Sequence, residues 1–409
     1  MTGLTVRIIE TLPEFLLLKE KWDALLEAME FPHPNLAHAW TRCWWEKLGQ
    51  GEAVYIMTVW EGGDLLAILP MKRQAIRFLK VFNFSCLHSI GDARLSAPSV
   101  ICRASDLDRA LSAIRDHLAA ISRSWQTLVL PRVPLHAGIA QSAQRKLCCP
   151  DMRVFIEPTG RTFDTHFIEI KGDFDGYFNG LNKSFRHARR NNNNFLARKG
   201  RVDLEIVKSA DPAALECFYD LEHKGWKGDA GTSILSSPEI RGFYDQIAAE
   251  FSKKGQFLLA TLRVNGEAIA SGFGLIFHNT FYFLKMGVNS FSAEYKNVSP
   301  GQALTFHLLK FCFTEKISVF DFYGPCYPYQ AHWTKAVRRR KTVLVFNTRH
   351  PLVKVCASLK GMINFVRTWR VDRREKGVES RGWSVKRREW SVEKRDEHRD
   401  WSLERREAG

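Results

Sequence analysis

The sequence predicts an α/β (α+β) chain of two successive lobes, each a mixed, largely antiparallel sheet flanked by helices. Three observations carry that expectation. The 409 residues exceed what one ordinary core organises. The order helix, helix, antiparallel hairpin, helix, strand occurs twice along the chain, the pattern of a structural duplication. Each hairpin carries turn chemistry, Glu61-Gly62-Gly63-Asp64 in the first half and Asn265-Gly266 in the second. With 45% hydrophobic and 12% aromatic residues, the chain is globular rather than disordered.

In the first lobe, residues 5–10 read as a strand and 12–29 as a helix with an apolar stripe at 3.6 spacing. A second helix at 37–48 holds Trp40, Trp44 and Trp45, and a hairpin of 54–60 and 65–72 follows. A helix at 106–121 and a strand at 127–130 close the lobe. The second lobe repeats the order: helices at 211–224 and 238–253, a hairpin of 257–264 and 267–277, a strand at 280–286, a helix at 300–315 and a strand at 318–322. Between the lobes, 181–200 is basic, and the four asparagines 191–194 predict a break or frayed turn there. The expected division is therefore a first lobe over 1–170 and a second over 171–350.

Beyond these lobes the pattern changes. Leu352, Val355, Leu359, Met362, Val366 and Trp369 fall on one face of a basic amphipathic helix spanning 351–371. That face is expected to pack on the second lobe, with contact at the inner-membrane surface as the alternative. The tail 372–409 is charge-dense and repeats Trp-Ser-Val, so a solvated helix or disorder is expected. Residues 335–409 hold 22 Lys and Arg against 10 Asp and Glu, which accounts for most of the net +16. The lobes are near charge balance, so no DNA partner is expected. Nine scattered cysteines without a Cys-x-x-Cys pair argue for reduced thiols, no metal and a cytoplasmic setting, peripheral to the membrane at most.

One segment points to chemistry. Val298-Ser299-Pro300-Gly301-Gln302-Ala303 follows a strand and opens a helix. Proline suits a first helical turn, glycine admits a bulky anion, and the dipole end of the helix favours a pyrophosphate. An ordinary Ser-Pro helix start is the plain alternative. Asp321-Phe322-Tyr323-Gly324 ends a strand, and His278, His307 and His332 lack metal-ligand spacing.

An ordered set of segments resembles the GNAT acyltransferases, and in particular their CelD/BcsL-type, FemAB-like branch of two tandem GNAT-like lobes. The set comprises SFRHARRNNNNFLARKG, Trp226, LRVNGEAIASGFG, VSPGQAL and FDFYGPCYPYQAHW. Val298 stands where the broad pattern has Gln or Arg, and Tyr329-Gln330 where the branch tends to have Tyr-Lys. The resemblance implies an N-acyltransferase, acetyl-CoA or another acyl-CoA as co-substrate, and a small-molecule amine acceptor such as an amino sugar, amino acid or envelope-polysaccharide precursor. It places Lys285, Met286, Val298, Ser299, Gly301, Gln302 and Ala303 against the acyl-CoA. Asp321, Tyr323, Tyr327 and Tyr329 become candidate catalytic residues, the tyrosines as acids for the departing thiolate or else as a packed aromatic cluster. Arg186, Arg189, Arg190, Trp226 and Trp333 become candidates for holding the acceptor. Asp321 either orients the amine or caps the next turn, and it and Glu267 stand as alternative bases beside water chains. Two other readings remain open: a FemAB-like transferase fed by aminoacyl-tRNA, and a non-catalytic scaffold at the membrane surface.

Overall fold

The computed structural model describes residues 3–78, 82–91, 99–158, 164–224, 226–289, 295 and 298–358. The chain begins β1 (Leu4–Ile9), α1 (Leu12–Leu17), α2 (Lys19–Glu27), α3 (His38–Lys47), β2 (Ala53–Glu61), β3 (Asp64–Phe78) and β4 (Phe82–Ser89). It continues with β5 (Ile101–Cys102), α4 (Leu107–Ala120), β6 (Thr127–Pro134), α5 (Ile139–Lys146), β7 (Met152–Pro158) and β8 (Thr165–Glu169). Next come α6 (Phe174–Asn179), α7 (Lys183–Lys199), β9 (Val202–Val207), α8 (Pro212–His223), α9 (Trp226–Asp229) and α10 (Pro238–Ser252). The last elements are β10 (Phe257–Val264), β11 (Glu267–Phe277), β12 (Thr280–Val288), α11 (Pro300–Thr314), β13 (Val319–Asp321), β14 (Val337–Arg338), β15 (Arg340–Asn347) and α12 (Pro351–Ser358).

Local chemistry sets most boundaries. Asp211 caps α8 by accepting from Ala214 N–H at 2.8 Å, with Pro212 in the first turn. Ser237 and Pro238 start α10 in the same way. Asn265 and Gly266 turn the β10–β11 hairpin with φ of 49° and 84°. Two expectations give way. The stretch read as one helix at 12–29 breaks at Leu18, whose N–H bonds Phe15 O in a 3₁₀-type turn. The asparagine run, expected to break, continues as α7. Asn182 caps that helix, Asn191 bonds His187 one turn away, and the buried Leu196 anchors its end. Tertiary anchoring overrides weak propensity.

The two sheets are near replicas. One runs β1-β2-β3-β4-β6-β15-β7, with β5 on β3, and the other β14-β8-β13-β12-β11-β10-β9. In each, four antiparallel strands are followed by one parallel pair, β4 with β6 and β12 with β13. The duplication read from element order is thus present in register and direction.

The lobe boundaries at 170/171 and 350 need correcting. β8, placed by sequence in the first lobe, pairs with β13 in the second sheet. β15, placed in the second lobe, lies between β6 and β7 in the first. Each lobe therefore lends the other the strand beside its parallel pair. The near-continuous apolar run of β15 fits a central strand covered on both faces.

The lobes also share one apolar core, in which Phe15, Trp22, Trp40 and Trp44 meet Phe218, Phe243, Phe273 and Tyr282. Arg42–Glu250 (2.7 Å) and Lys254–Asp23 (3.3 Å) fasten its rim. The helix α12 packs not on the second lobe, as expected, but on the first, where Val353 and Ala357 join Phe84, Leu344 and Phe346. Leu352 and Val355 on its other side are 49% and 57% exposed. The remainder of the expected 351–371 helix and the 372–409 tail lie outside the described residues. Among the described residues no helix is long and apolar enough to cross a membrane, and no cluster of side chains has metal-binding grouping. All nine cysteines are free thiols.

Candidate active site

The site is built where the second sheet opens. β12 and β13 pair over three positions, Thr280 with Val319, Phe281 with Phe320 and Tyr282 with Asp321. Beyond Tyr282 the strands part while β12 continues to Val288. A register shift against Phe273 and Gly274 leaves Leu284 as an extra residue, a β-bulge at the point of parting. Such a bulge re-aims backbone N–H groups that a straight ladder would hold in its own plane. Phe281 and Phe283 point to the α11 side of the sheet, whereas Tyr282 and Leu284 belong to the core shared with the first lobe.

The start of α11 sits against this open strand. A Cβ on Gly301 would lie 2.6 Å from Met286 Sδ and 3.3 Å from Val288 Cγ1. Glycine is therefore needed for helix-on-strand contact as much as for approach of an anion. Pro300 has no N–H, and those of Gln302 and Ala303 turn back to Ser299 O at 2.9 and 3.1 Å. The expected fan of N–H groups is accordingly narrower, and the helix dipole carries more of the attraction for an anion. Val298 and Ala303 are buried in the core. The corresponding helix of the first lobe, α4, starts with Asp106 and Asp108, which repel an anion, whereas the first turn of α11 has no acid. Of the two copies, the second suits a phosphate.

Trp333 is not an acceptor-facing residue. It is 1% exposed, its Nε1 donates to Gln302 Oε1 at 2.7 Å, and its carbonyl accepts from Tyr177 OH at 2.7 Å. Phe185 packs edge-on against it at 4.9 Å. Trp333 Nε1 and Gln302 Oε1 thus clamp the loop after β13 to the start of α11.

Asp321 is likewise absorbed by the fold. It is 1% exposed; Oδ1 accepts from Tyr323 N–H at 2.7 Å and Oδ2 pairs with Arg338. Burial pushes its carboxyl up, and Arg338, the Tyr323 N–H and Arg340 pull it down without cancelling the rise. Both oxygens being taken, Asp321 holds the turn at which Tyr323 adopts φ 57°. Glu267 stands at the Asn265-Gly266 turn, where it accepts from Tyr295 OH at 3.4 Å.

The tyrosines separate. Tyr323 is half-buried and meets Tyr282 edge-on at 6.3 Å, at the mouth of the parted strands. Tyr327 and Tyr329 stack on each other at 5.8 Å in the following 3₁₀ segment. Burial raises the hydroxyls of Tyr282 and Tyr329, so both stay protonated. The Cys326 thiol beside them is pushed up to about 11 by burial, which makes it a poor nucleophile.

The arginines of α7 also divide. Arg186 donates to Asn179 O, and Arg190 Nη2 donates to Asn179 Oδ1 at 3.1 Å, so both fasten α7 to α6. Arg189 lies over Phe185 at 5.3 Å, and its buried Nε and Nη1 meet no hydrogen-bond partner. Of the three, it remains the best placed for an anion. Trp226 opens α9, and its side chain lies outside the described residues.

Three features escaped the sequence reading. Glu222 is buried at the end of α8, where Oε2 accepts from Ile234 N–H at 2.8 Å and Oε1 lies 3.1 Å from Lys227 Nζ. Lys227 Nζ also donates to Met286 O at 2.8 Å, which ties this pair to the open strand. Burial pushes the Glu222 carboxyl up, but Lys227, Lys285 and the Ile234 N–H together outweigh it and hold it low. A signal was present, because Leu215, Phe218, Tyr219 and Glu222 share one apolar helix face. Lys285 itself lies 5.9 Å from the Tyr244 ring centroid. The third feature is His33 of the first lobe, which packs on Tyr282 at 4.6 Å and Tyr323 at 5.5 Å. No periodicity marks it.

Residues 182–331 match the family model described as an acetyltransferase (GNAT) domain. No curated protein matches the chain by sequence. The crystal structure of FemX superimposes with a TM-score of 0.57 at 11% identity, over 85% of this chain and 99% of that one. A tandem GNAT protein from the clavulanic acid biosynthesis pathway gives 0.43 at 10% identity, over 83% and 98%. L-PGS from Bacillus licheniformis gives 0.44 at 12% identity, over 80% and 95%. At these identities the likeness to FemX is one of fold. The chain has the two-lobed fold of FemX, and residues 182–331 match a GNAT acetyltransferase domain.

Proposed function

We propose that the protein is an N-acyltransferase that moves an acyl group, acetyl in the simplest case, from acyl-CoA to an amine. The acceptor class is an amino sugar, an amino acid or an envelope-polysaccharide precursor. The observation that carries this reading is the parted β12–β13 pair, with a bulge at Leu284 and the acid-free start of α11 against Met286. An extended thioester arm fits along the bare side of β12 as a further strand would, with its pyrophosphate at the dipole end of α11.

In this arrangement a β12 N–H near the bulge polarises the thioester carbonyl. The amine, entering from the side of Tyr282 and the first lobe, attacks the carbonyl carbon and the C–S bond breaks. The amine's proton passes to water, and the departing thiolate takes a proton from Tyr323, which is later restored from solvent. Glu222 and Lys227 hold β12 in place through Met286 O rather than reacting.

Calorimetry with CoA and acetyl-CoA tests the donor, and thermal stabilisation should follow the ligand concentration relative to Kd. Stabilisation by aminoacyl-tRNA but not by CoA would replace this reading with a tRNA-fed one. No stabilisation by either would leave the fold without the activity.

A further inference from the structure

Within the acyl-transfer reading, we propose that His33 of the first lobe contacts the acyl acceptor, its Nε2–H receiving an anionic oxygen, a carboxylate or phosphate oxygen, of a molecule bound between the lobes. The imidazole is held between Pro32 and Pro34, each with restricted backbone freedom, at the start of a 3₁₀ turn. Its Nδ1 accepts from Asn35 N–H at 3.3 Å, which assigns the proton of the neutral ring to Nε2. That Nε2 is buried and meets no hydrogen-bond partner among the described residues. A buried donor left unmet is a cost that folds seldom carry without a use.

The place of this nitrogen gives it one. The ring packs on Tyr282 and Tyr323, the two tyrosines at the mouth of the parted strands, so the first lobe supplies a polar group to the second lobe's site. Burial first, then Arg340, Arg338 and His136, hold the imidazole well below its ordinary value, outweighing the opposing hydrogen bond with the Asn35 side chain. The guanidinium groups of Arg340 and Arg338 face it, with His136 held neutral by burial; Asp321 engages Arg338, and Asp164 accepts from the Arg340 backbone N–H at 3.0 Å. A donor N–H beside two guanidinium groups selects an oxygen acceptor over an ammonium group.

The test uses the full chain labelled with ¹⁵N-histidine, titrated at neutral pH with inorganic phosphate and, separately, with acetate. The expected result is a saturable shift of the His33 Nε2–H resonance with one of them. Phosphate alone would assign a phosphate-bearing acceptor and acetate alone a carboxylate-bearing one. His33→Gln should remove the resonance and weaken binding of that anion about tenfold, the usual loss for one hydrogen bond to a charged group. If that variant does not fold, His33→Asn or the wild-type resonance itself supplies the answer. A resonance that neither anion moves overturns the proposal and makes Nε2–H a structural contact with the Tyr282 ring. CoA binding, measured by calorimetry on the same sample, separates the two readings. CoA binding without an anion response sinks the role of His33 alone, and an anion response without CoA binding sinks the acyl-CoA reading.

Discussion

The Asp321–Arg338 pair makes an unequal prediction for its two members. The Asp321 side chain is almost wholly enclosed, whereas Arg338 keeps a quarter of its side chain exposed and also lies over Phe167 at 4.4 Å. Arg338→Met leaves a buried carboxylate with the Tyr323 N–H, so the expected destabilisation at neutral pH is about 3–5 kcal/mol. Asp321→Asn keeps an oxygen for Tyr323 N–H and frees Arg338 to turn to solvent, so it should cost only about 1–2 kcal/mol. The sign with pH follows from the raised carboxyl of Asp321. A carboxylate raised in the folded state binds more protons there, so its unfavourable contribution is absent below its unfolded value and grows as pH rises through the folded one. Removing Arg338 raises that carboxyl further, and the Arg338→Met penalty should shrink on acidification toward pH ~4, near the unfolded value. Urea unfolding followed by tryptophan fluorescence at several pH values measures this. Equal losses in the two variants, or a penalty indifferent to pH, would refute the reasoning and return Asp321 to the list of catalytic candidates.

Other substitutions probe the remaining contacts. Lys227→Met strands the buried Glu222 and should cost about 3–5 kcal/mol at neutral pH, read as a fall in the urea midpoint. In the wild type, the low-held Glu222 contributes stability that is full above its unfolded value and lost as pH falls through its folded one, so Glu222→Gln should flatten the acid limb of the stability profile. Gly301→Ala gains about 1 kcal/mol of helix propensity but must push aside the flexible end of Met286, so thermal stability should change little while calorimetric CoA affinity falls. Trp333→Phe leaves Gln302 Oε1 without its donor and should lower stability by about 1–2 kcal/mol, whether or not CoA affinity follows.

Signals that act over a few residues were legible in the sequence. Asn265-Gly266 placed a hairpin whose strands, Phe257–Val264 and Glu267–Phe277, flank that turn. Asp211-Pro212 and Ser237-Pro238 marked helix starts because a side-chain oxygen and a fixed φ act on the next turn alone. The repeated order of elements gave the duplication, and the 298–303 loop gave the place where a strand hands over to a helix.

Tertiary structure decided what depends on partners distant in the chain. No local pattern tells β15 that its slot lies between β6 and β7, because an apolar strand satisfies any buried position of the right length. Trp333 and Asp321 looked functional because polar loops and strand ends often carry chemistry, yet Gln302 and Arg338 had already claimed them. His33 carries no mark in the sequence because its neighbours Tyr282 and Tyr323 come from the other lobe. Sequence by itself determined the elements and their repetition, since hydrogen bonding and side-chain spacing are local. Only the folded chain decided which polar groups are left over for a ligand, since that depends on every partner each group meets.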